Sequence, residues 1–179
     1  MPAMANLLSA TCVLALIACG GSGDAIDAGP ADDGAPTTFI AFQTTFAEFR
    51  TWTSFHSDGP ADDGTFPADV LGPRTQYINK LPPTGATEFT VGTVIVEARE
   101  NAAHKIFAGV KRGGGFNSTG AVNWEWFELE EPINIVWRGF GPPLGDTYGG
   151  DKNGCNTCHV QCGASNDYVC SPKLLLSAF

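Results

Sequence analysis

Residues 92–100 read GTVIVEARE, a stretch in which β-branched side chains predominate. Such side chains fit the pleated surface of a sheet, so the stretch predicts a β-strand. A turn at 101–103 separates it from a second predicted strand over 105–111, KIFAGVK. Two strands joined by so short a connection form an antiparallel hairpin. We expect the rest of the sheet to be built around this hairpin.

Further strands are predicted on both sides of the hairpin, over 74–79, over 123–130 (NWEWFELE) and over 133–138. Apolar side chains between 39 and 55 recur at nearly helical spacing and predict one amphipathic helix. These are Phe39, Phe42, Phe46, Phe49, Trp52 and Phe55. The expected fold class is α+β, dominated by an antiparallel sheet with a few helices. A Gly- and Pro-rich loop then leads to residue 154.

Residues 154–159 read GCNTCH, two cysteines separated by two residues and followed at once by a histidine. This spacing is typical of c-type haem attachment, in which each thiol adds to one haem vinyl group and the histidine binds the iron. One helical turn brings both thiols to the same edge of the porphyrin. We therefore predict one covalent haem c, held by Cys155 and Cys158, with His159 as the proximal iron ligand.

Two other kinds of site use the same residues. Cys162 extends the motif to four candidate zinc ligands, although adjacent ligands at 158 and 159 would strain a tetrahedral site. A redox disulfide between Cys155 and Cys158 would be expected in a βαβ context, which the surrounding sequence does not predict. Haem is the preferred interpretation, and both alternatives remain open.

The beginning of the chain predicts export. Residues 1–18 carry no charged side chain and end in an apolar segment, as a signal peptide does. Residues 16–19, LIAC, match a bacterial lipobox, which predicts cleavage before Cys19 and acylation of its thiol; a plain signal peptide is the alternative. Residues 19–37 hold little to bury and predict a disordered, lipid-anchored linker. The haem domain would then span 38–179 of a periplasmic or outer-membrane lipoprotein.

Export also accounts for all six cysteines. Cys12 is removed with the signal peptide, Cys19 takes lipid, and Cys155 and Cys158 take haem. Cys162 and Cys170 are then a disulfide candidate in an oxidising compartment. A pair of reduced, buried thiols is the alternative for these two residues.

The chain has 19 acidic and 10 basic residues, a net charge of −9. This charge argues against nucleic acid as a partner. It is compatible with docking of a basic redox partner protein.

The sixth coordination position of the iron has few candidate ligands. The chain's two methionines, Met1 and Met4, lie in the predicted signal peptide, so a Met-ligated cytochrome is excluded after processing. His56 and His104 are both predicted in exposed loops, and a lysine is a further candidate. We expect a five-coordinate iron with one open face, which binds a small ligand or turns over a substrate.

Several of these motifs together resemble the cytochrome P-460 family, which includes the cytochromes c′-beta. They are GTVIVE at 92–97, the strand ending near Lys111, NWEWF at 123–127, CNTCH at 155–159 and NDYV at 166–169. The resemblance implies a mainly antiparallel sheet against one face of a c-type haem, often in a homodimer. It also implies either hydroxylamine oxidation or nitric oxide binding, with Cys155 and Cys158 as thioether residues and His159 as proximal ligand.

The chain departs from the family at one position. Members that oxidise hydroxylamine cross-link the haem to a lysine, and the matching residue here is Glu97, which has no amine. Lys111, on the next strand, is a distant substitute for that lysine, and the alternative is a solvated strand-end charge. Glu97 shares a strand face with Thr93 and Ile95. It is either a distal-pocket carboxylate that relays protons to a bound ligand or an outward partner of Arg99 or Lys105.

The predicted function is that of an exported mono-haem cytochrome that binds nitric oxide or a similar diatomic molecule. The alternatives are a hydroxylamine or nitric oxide oxidoreductase and an electron-transfer cytochrome. Loss of the cross-linking lysine favours ligand binding over hydroxylamine turnover. Absence of methionine from the processed chain favours it over electron transfer.

Overall fold

The computed structural model describes residues 37–59, 71–100, 104–140 and 154–179. The predicted signal peptide, Cys12 and Cys19 lie outside the described residues. So do nearly all of the predicted linker, the turn at 101–103 and most of the loop before the cysteine motif.

The described residues form one six-stranded antiparallel sheet whose strand order follows the chain. Each strand pairs with its sequence neighbours. The strands are β1 Thr53–Ser57, β2 Arg74–Ile78, β3 Val94–Arg99, β4 Ile106–Lys111, β5 Trp124–Glu130 and β6 Asn134–Gly139. All five predicted strands are confirmed to within two residues, and the predicted hairpin is β3 and β4. The α+β class with a dominant antiparallel sheet is confirmed as well.

The predicted helix over 39–55 is wrong. The structure has two short 3-10 helices there, Gln43–Phe46 and Phe49–Thr51, followed by β1. From Phe46 onward the large apolar residues recur every three positions, which matches the period of a 3-10 helix better than that of an α-helix. Phe46 and Phe49 pack on one face of the sheet and Phe55 on the other, an arrangement that one straight helix could not make.

Both faces of the sheet are covered, because neighbouring residues of a strand point to opposite sides. The first face carries Val94, Val96, Val110 and Phe127, packed against the 3-10 segment at Phe46. The second face is covered by the C-terminal segment 154–179. The buried cluster on this face consists of Ile78, Phe89, Ile95, Ala121, Trp124, Trp126, Val169, Leu174 and Leu176. The cysteine motif therefore lies on the second face.

The C-terminal segment begins with helix α1, Cys155–Gln161, and continues with the 3-10 turns Ala164–Asn166 and Leu176–Ala178. Helix α1 is the single α-helix among the described residues. Within the same ranges, no helix has the length and apolar character needed to cross a membrane.

Candidate functional site

The cysteine motif forms the first turn of α1. Gly154 precedes the helix, and its carbonyl accepts the Cys158 N–H at 3.2 Å. Cys155 and Cys158 are three residues apart, so their side chains lie on the same side of the helix. Both are partly exposed thiols, and Cys155 packs against the apolar cluster of the second face. The two thiols therefore have the relation that the sequence predicts for double attachment to one group.

His159 has a defined hydrogen bond at one ring nitrogen. Its Nδ1 lies 2.7 Å from the Tyr168 carbonyl oxygen, so Nδ1–H donates to that oxygen and Nε2 keeps its lone pair. Burial lowers the pKa of His159, against smaller opposing contributions from the Tyr168 carbonyl and the charge of Glu97. The imidazole is therefore neutral at neutral pH. A histidine that binds a metal through Nε2 uses this tautomer and this kind of backbone partner.

The Trp126 ring stacks on the imidazole of His159. The two rings stack with centroids 3.9 Å apart. Gly109 pairs with Trp126 across β4 and β5, and a Cβ at 109 would lie 2.7 Å from Trp126 Cζ3. Glycine at this position thus makes room for the indole. The buried Trp126 Nε1 has no hydrogen-bond partner among the described residues. A glycine in the middle of β4 was the sequence signal for this close approach.

Asp167 ties the segment after α1 to the sheet. Its carboxylate accepts hydrogen bonds from Lys111 Nζ at 2.6 and 2.7 Å and from the Phe89 N–H at 2.9 Å. Burial raises the pKa of Asp167, while the Lys111 ammonium opposes that shift. The predicted solvation of Lys111 is wrong, since only 2% of its surface is exposed. Its place on β4 puts it beneath the C-terminal segment, where Asp167 compensates its charge.

Asn156, between the two motif cysteines, anchors α1 to the connection between β4 and β5. Its Oδ1 accepts hydrogen bonds from Asn117 Nδ2 at 2.7 Å and from the Ala121 N–H at 2.8 Å. A Cβ at Gly120 would lie 2.0 Å from Asn156 Nδ2, so this contact requires glycine there. Asn156, one of the two spacer residues between the motif cysteines, therefore docks the helix.

Cys162 and Cys170 form a disulfide, with Cα atoms 5.2 Å apart. Cys162 is therefore not available as a fourth zinc ligand. In the part of the chain that the structure describes, no three His, Cys, Asp or Glu side chains are grouped to hold a metal ion by themselves.

Glu97 lies half-buried on the second face, the face that carries Trp126. Its carboxylate pairs with Arg99, accepts a hydrogen bond from Gln76 Nε2 at 3.0 Å and lies 3.5 Å from Arg74 Nε. The Arg99 pair is one of the two arrangements expected from the sequence, whereas Lys105 pairs with Glu128 instead. The negative charge of Glu97 also acts on His159, where it opposes the lowering of the pKa by burial. Glu97 thus pairs with Arg99 and also faces the candidate site.

His56 and His104 are not brought to the motif. His56 lies in β1, not in the predicted loop, in one register row with Thr75 and Ala98. Residues paired across antiparallel strands share a face, and Ala98 belongs to the first face. His56 is exposed, and its Nδ1 lies 3.3 Å from Glu100 Oε1.

His104 is exposed, as expected, and lines an open cleft of about 500 Å³ with Arg50, Tyr77 and Glu131. Ala98 and Ile106 of the first-face cluster line the same cleft. Both histidines are thus separated from His159 by the sheet.

Sequence reasoning located the thiols and His159 but assigned no role to Trp126, Asn156 or the Tyr168 carbonyl. The functional argument rests on the site itself. No protein-family model, curated protein or solved structure matches the chain.

Proposed function

We propose that the chain is an exported mono-haem c protein of the cytochrome P-460 type that binds nitric oxide or a similar small diatomic molecule. Cys155 and Cys158 attach the haem, and His159 binds its iron. One observation carries the proposal: His159 donates Nδ1–H to the Tyr168 carbonyl and keeps Nε2 for a metal, directly beside two thiols on one helical turn.

The donor set fits haem c. Two thiols and a neutral imidazole are the groups that covalent attachment and axial ligation need. The buried Trp126 Nε1, without a partner in the described part of the chain, is an additional donor beside His159. When bound, the haem supplies an iron centre that takes up small ligands and electrons.

The chain's own residues orient this centre and hold protons near it. The Tyr168 carbonyl and the Trp126 ring limit rotation of the His159 imidazole from two sides. Asn156 and Asp167 dock the helix on the second face. Glu97 is a carboxylate on that face, and in the proposal it is the group that relays protons to a bound ligand.

The positions of the other two histidines agree with an open sixth coordination position at the iron. His56 and His104 belong to the opposite side of the sheet from His159. Lys111 is held by Asp167, and Lys105 pairs with Glu128. No specific observation favours the electron-transfer alternative.

The hydroxylamine-oxidising alternative would need a lysine for the cross-link. Glu97 stands at that position and is paired with Arg99. Lys111 would have to leave its buried pair with Asp167 to replace it. This arrangement favours ligand binding over hydroxylamine turnover.

The proposed setting is a lipoprotein anchored through Cys19, in the periplasm or at the outer membrane. The Cys162–Cys170 disulfide supports export, because such bonds persist in oxidising compartments. A homodimer and a basic redox partner belong to the same proposal.

The test is to produce the full chain together with haem-maturation machinery. Mass spectrometry under denaturing conditions should show one covalent haem, and ferrous protein should have a high-spin spectrum that shifts with nitric oxide. The control is Cys155→Ser/Cys158→Ser, which should keep the fold by circular dichroism and lose covalent haem. Absence of covalent haem in the wild type would overturn the proposal, and a low-spin spectrum indifferent to the gas would point to electron transfer.

A further inference from the structure

The Cys162–Cys170 disulfide has no role in the proposed haem attachment, yet it lies directly beside His159. The bonded residues are eight positions apart and enclose the chain that follows α1. Tyr168, whose carbonyl accepts the His159 hydrogen bond, is inside this loop. Cys170 Sγ lies 3.6 Å from His159 Nδ1, the same nitrogen that donates to Tyr168.

The backbone inside the loop has an uncommon conformation. Asp167 and Tyr168 follow one another with φ of +47° and +64°, in the left-handed region that residues with a Cβ seldom adopt. Such a conformation persists only where the surrounding structure fixes it. It directs the Tyr168 carbonyl toward α1 and the Asp167 carboxylate toward Lys111.

Three kinds of contact hold the loop in this form. The disulfide closes its ends, and the pair between Asp167 and Lys111 fastens its middle to the sheet. The Asp167 N–H donates to the Ala164 carbonyl at 3.0 Å, and the Tyr168 N–H donates to the Gly163 carbonyl at 2.9 Å. The disulfide is the covalent constraint among these contacts, and its Cys170 Sγ lies beside the His159 imidazole.

We propose that the Cys162–Cys170 bridge is a positioning element for His159. It holds the Tyr168 carbonyl at Nδ1 and thereby selects the tautomer that leaves Nε2 for a ligand. Without the bridge, Asp167 and Tyr168 relax from the left-handed region, the hydrogen bond is lost, and the proton distributes between the two ring nitrogens. The consequence at the iron rests on the proposed function, whereas the choice of tautomer does not.

The first measurement uses the full chain without haem. Two-bond ¹H–¹⁵N spectra of His159 report which ring nitrogen carries the proton. In oxidised wild type we expect a single tautomer with the proton on Nδ1. In Cys162→Ser/Cys170→Ser we expect a mixture of both tautomers. A wild type with the proton on Nε2, or a folded double variant with an unchanged tautomer, would overturn the proposal.

A matched control separates positioning from general stability. Leu176→Ala removes a buried side chain from the same C-terminal segment, keeps the Leu176 N–H that donates to Asn166 Oδ1 at 2.7 Å, and leaves Cys162, Cys170 and His159 unchanged. It should lower the melting temperature and leave the tautomer unchanged, and a tautomer shift in this control as large as in the double variant would contradict the proposal. If the double variant does not fold, a phosphine reductant opens the bridge in folded wild type; a mixed tautomer then supports the proposal, and global unfolding contradicts it.

The second measurement uses haem-loaded protein, in which thioether bonds survive the phosphine. The iron–imidazole stretching frequency in resonance Raman spectra should fall after reduction of the bridge, because the Nδ1 hydrogen bond strengthens the imidazole as a donor. An unchanged frequency would overturn the consequence for the iron. Failure to load covalent haem would instead contradict the proposed function and leave the haem-free result standing.

Discussion

The two faces of the sheet are built in different ways. On the first face, Phe46 and Phe49 from the short 3-10 helices pack against Val96 and Phe127. Its directional contacts centre on Arg138, which donates to the Ala41 carbonyl at 2.9 Å and pairs with the buried Glu125. The second face also has an apolar cluster, but directional contacts dock its C-terminal segment: a buried ion pair, two amide hydrogen bonds and a ring stack. Apolar packing stabilises without prescribing an orientation, whereas hydrogen bonds and ion pairs need particular geometry. On the face that carries the candidate site, the directional contacts hold the motif helix and the loop that follows it.

Strand β4 shows the contrast within adjacent residues. Ala108 and Val110 pack into the first-face cluster. Gly109 and Lys111 face the other way, where one makes room for Trp126 and the other binds Asp167. Substitutions on the two faces should therefore have different consequences for the site.

The largest expected loss of stability is on the first face. Phe127 is fully buried and contacts the Phe46 ring, with centroids 5.1 Å apart. Phe127→Ala should lower the free energy of unfolding by roughly 4 kcal/mol, measured by urea denaturation. The protein that still folds should attach haem normally, since no site residue is touched. The exposed Phe42→Ala is the control, and loss of haem attachment by folded Phe127→Ala would break the distinction between the faces.

The next effect is on the second face. Lys111→Met leaves Asp167 buried without its cation, which should lower the free energy of unfolding by roughly 3 kcal/mol. Lys111→Met/Asp167→Leu should lose less than the sum of the single changes, since no buried charge then remains. Unlike Phe127→Ala, Lys111→Met should also change the haem spectrum. Additive losses in the double variant would show that the two residues are not coupled.

Gly109→Ala should have a smaller effect on stability and a local effect on the site. The added methyl group would overlap the Trp126 ring and should cost roughly 2 kcal/mol. Displacement of the indole should appear as a change in tryptophan fluorescence and in the His159 ring resonances. Gly109→Ala/Trp126→Phe should recover part of the stability, because the smaller ring relieves the overlap. If the double variant recovered no stability, overlap with the Trp126 ring would not be the cause of the loss.

Asn156→Ala should have the smallest effect of this series. It removes the acceptor for the Asn117 amide and the Ala121 N–H, at a cost of about 1 to 2 kcal/mol in unfolding free energy. The exposed neighbour Thr157→Ala, in the same motif, should change the unfolding free energy by less than about 0.5 kcal/mol. Equal effects of the two variants would mean that Asn156 does not dock α1.

Much of the fold could be predicted because strands carry local signals. The β-branched run at 92–100 and the aromatic run at 123–130 each indicate a strand by themselves. The segment 39–55 was misassigned because spacings of three and four residues both occur in it. That ambiguity is decided by contacts with the sheet, where Phe46 and Phe55 belong to opposite faces.

For the candidate site too, local features could be predicted from the sequence and long-range contacts could not. The spacing of Cys155, Cys158 and His159 is a local property, and it located the site on the chain. Lys111 was misjudged because a lysine at the end of a strand has the same sequence appearance whether it faces water or a buried carboxylate. Asp167, its partner, is 56 positions away.

The sequence by itself determined the antiparallel strands and the motif helix, because alternation, propensity and ligand spacing act between near neighbours. Only the tertiary structure decided which carbonyl meets His159, which carboxylate meets Lys111, and that Glu97 pairs with Arg99 while facing the site. Strand register and the packing of the C-terminal segment on the second face bring together residues distant in sequence. Their effect cannot be read from any single stretch.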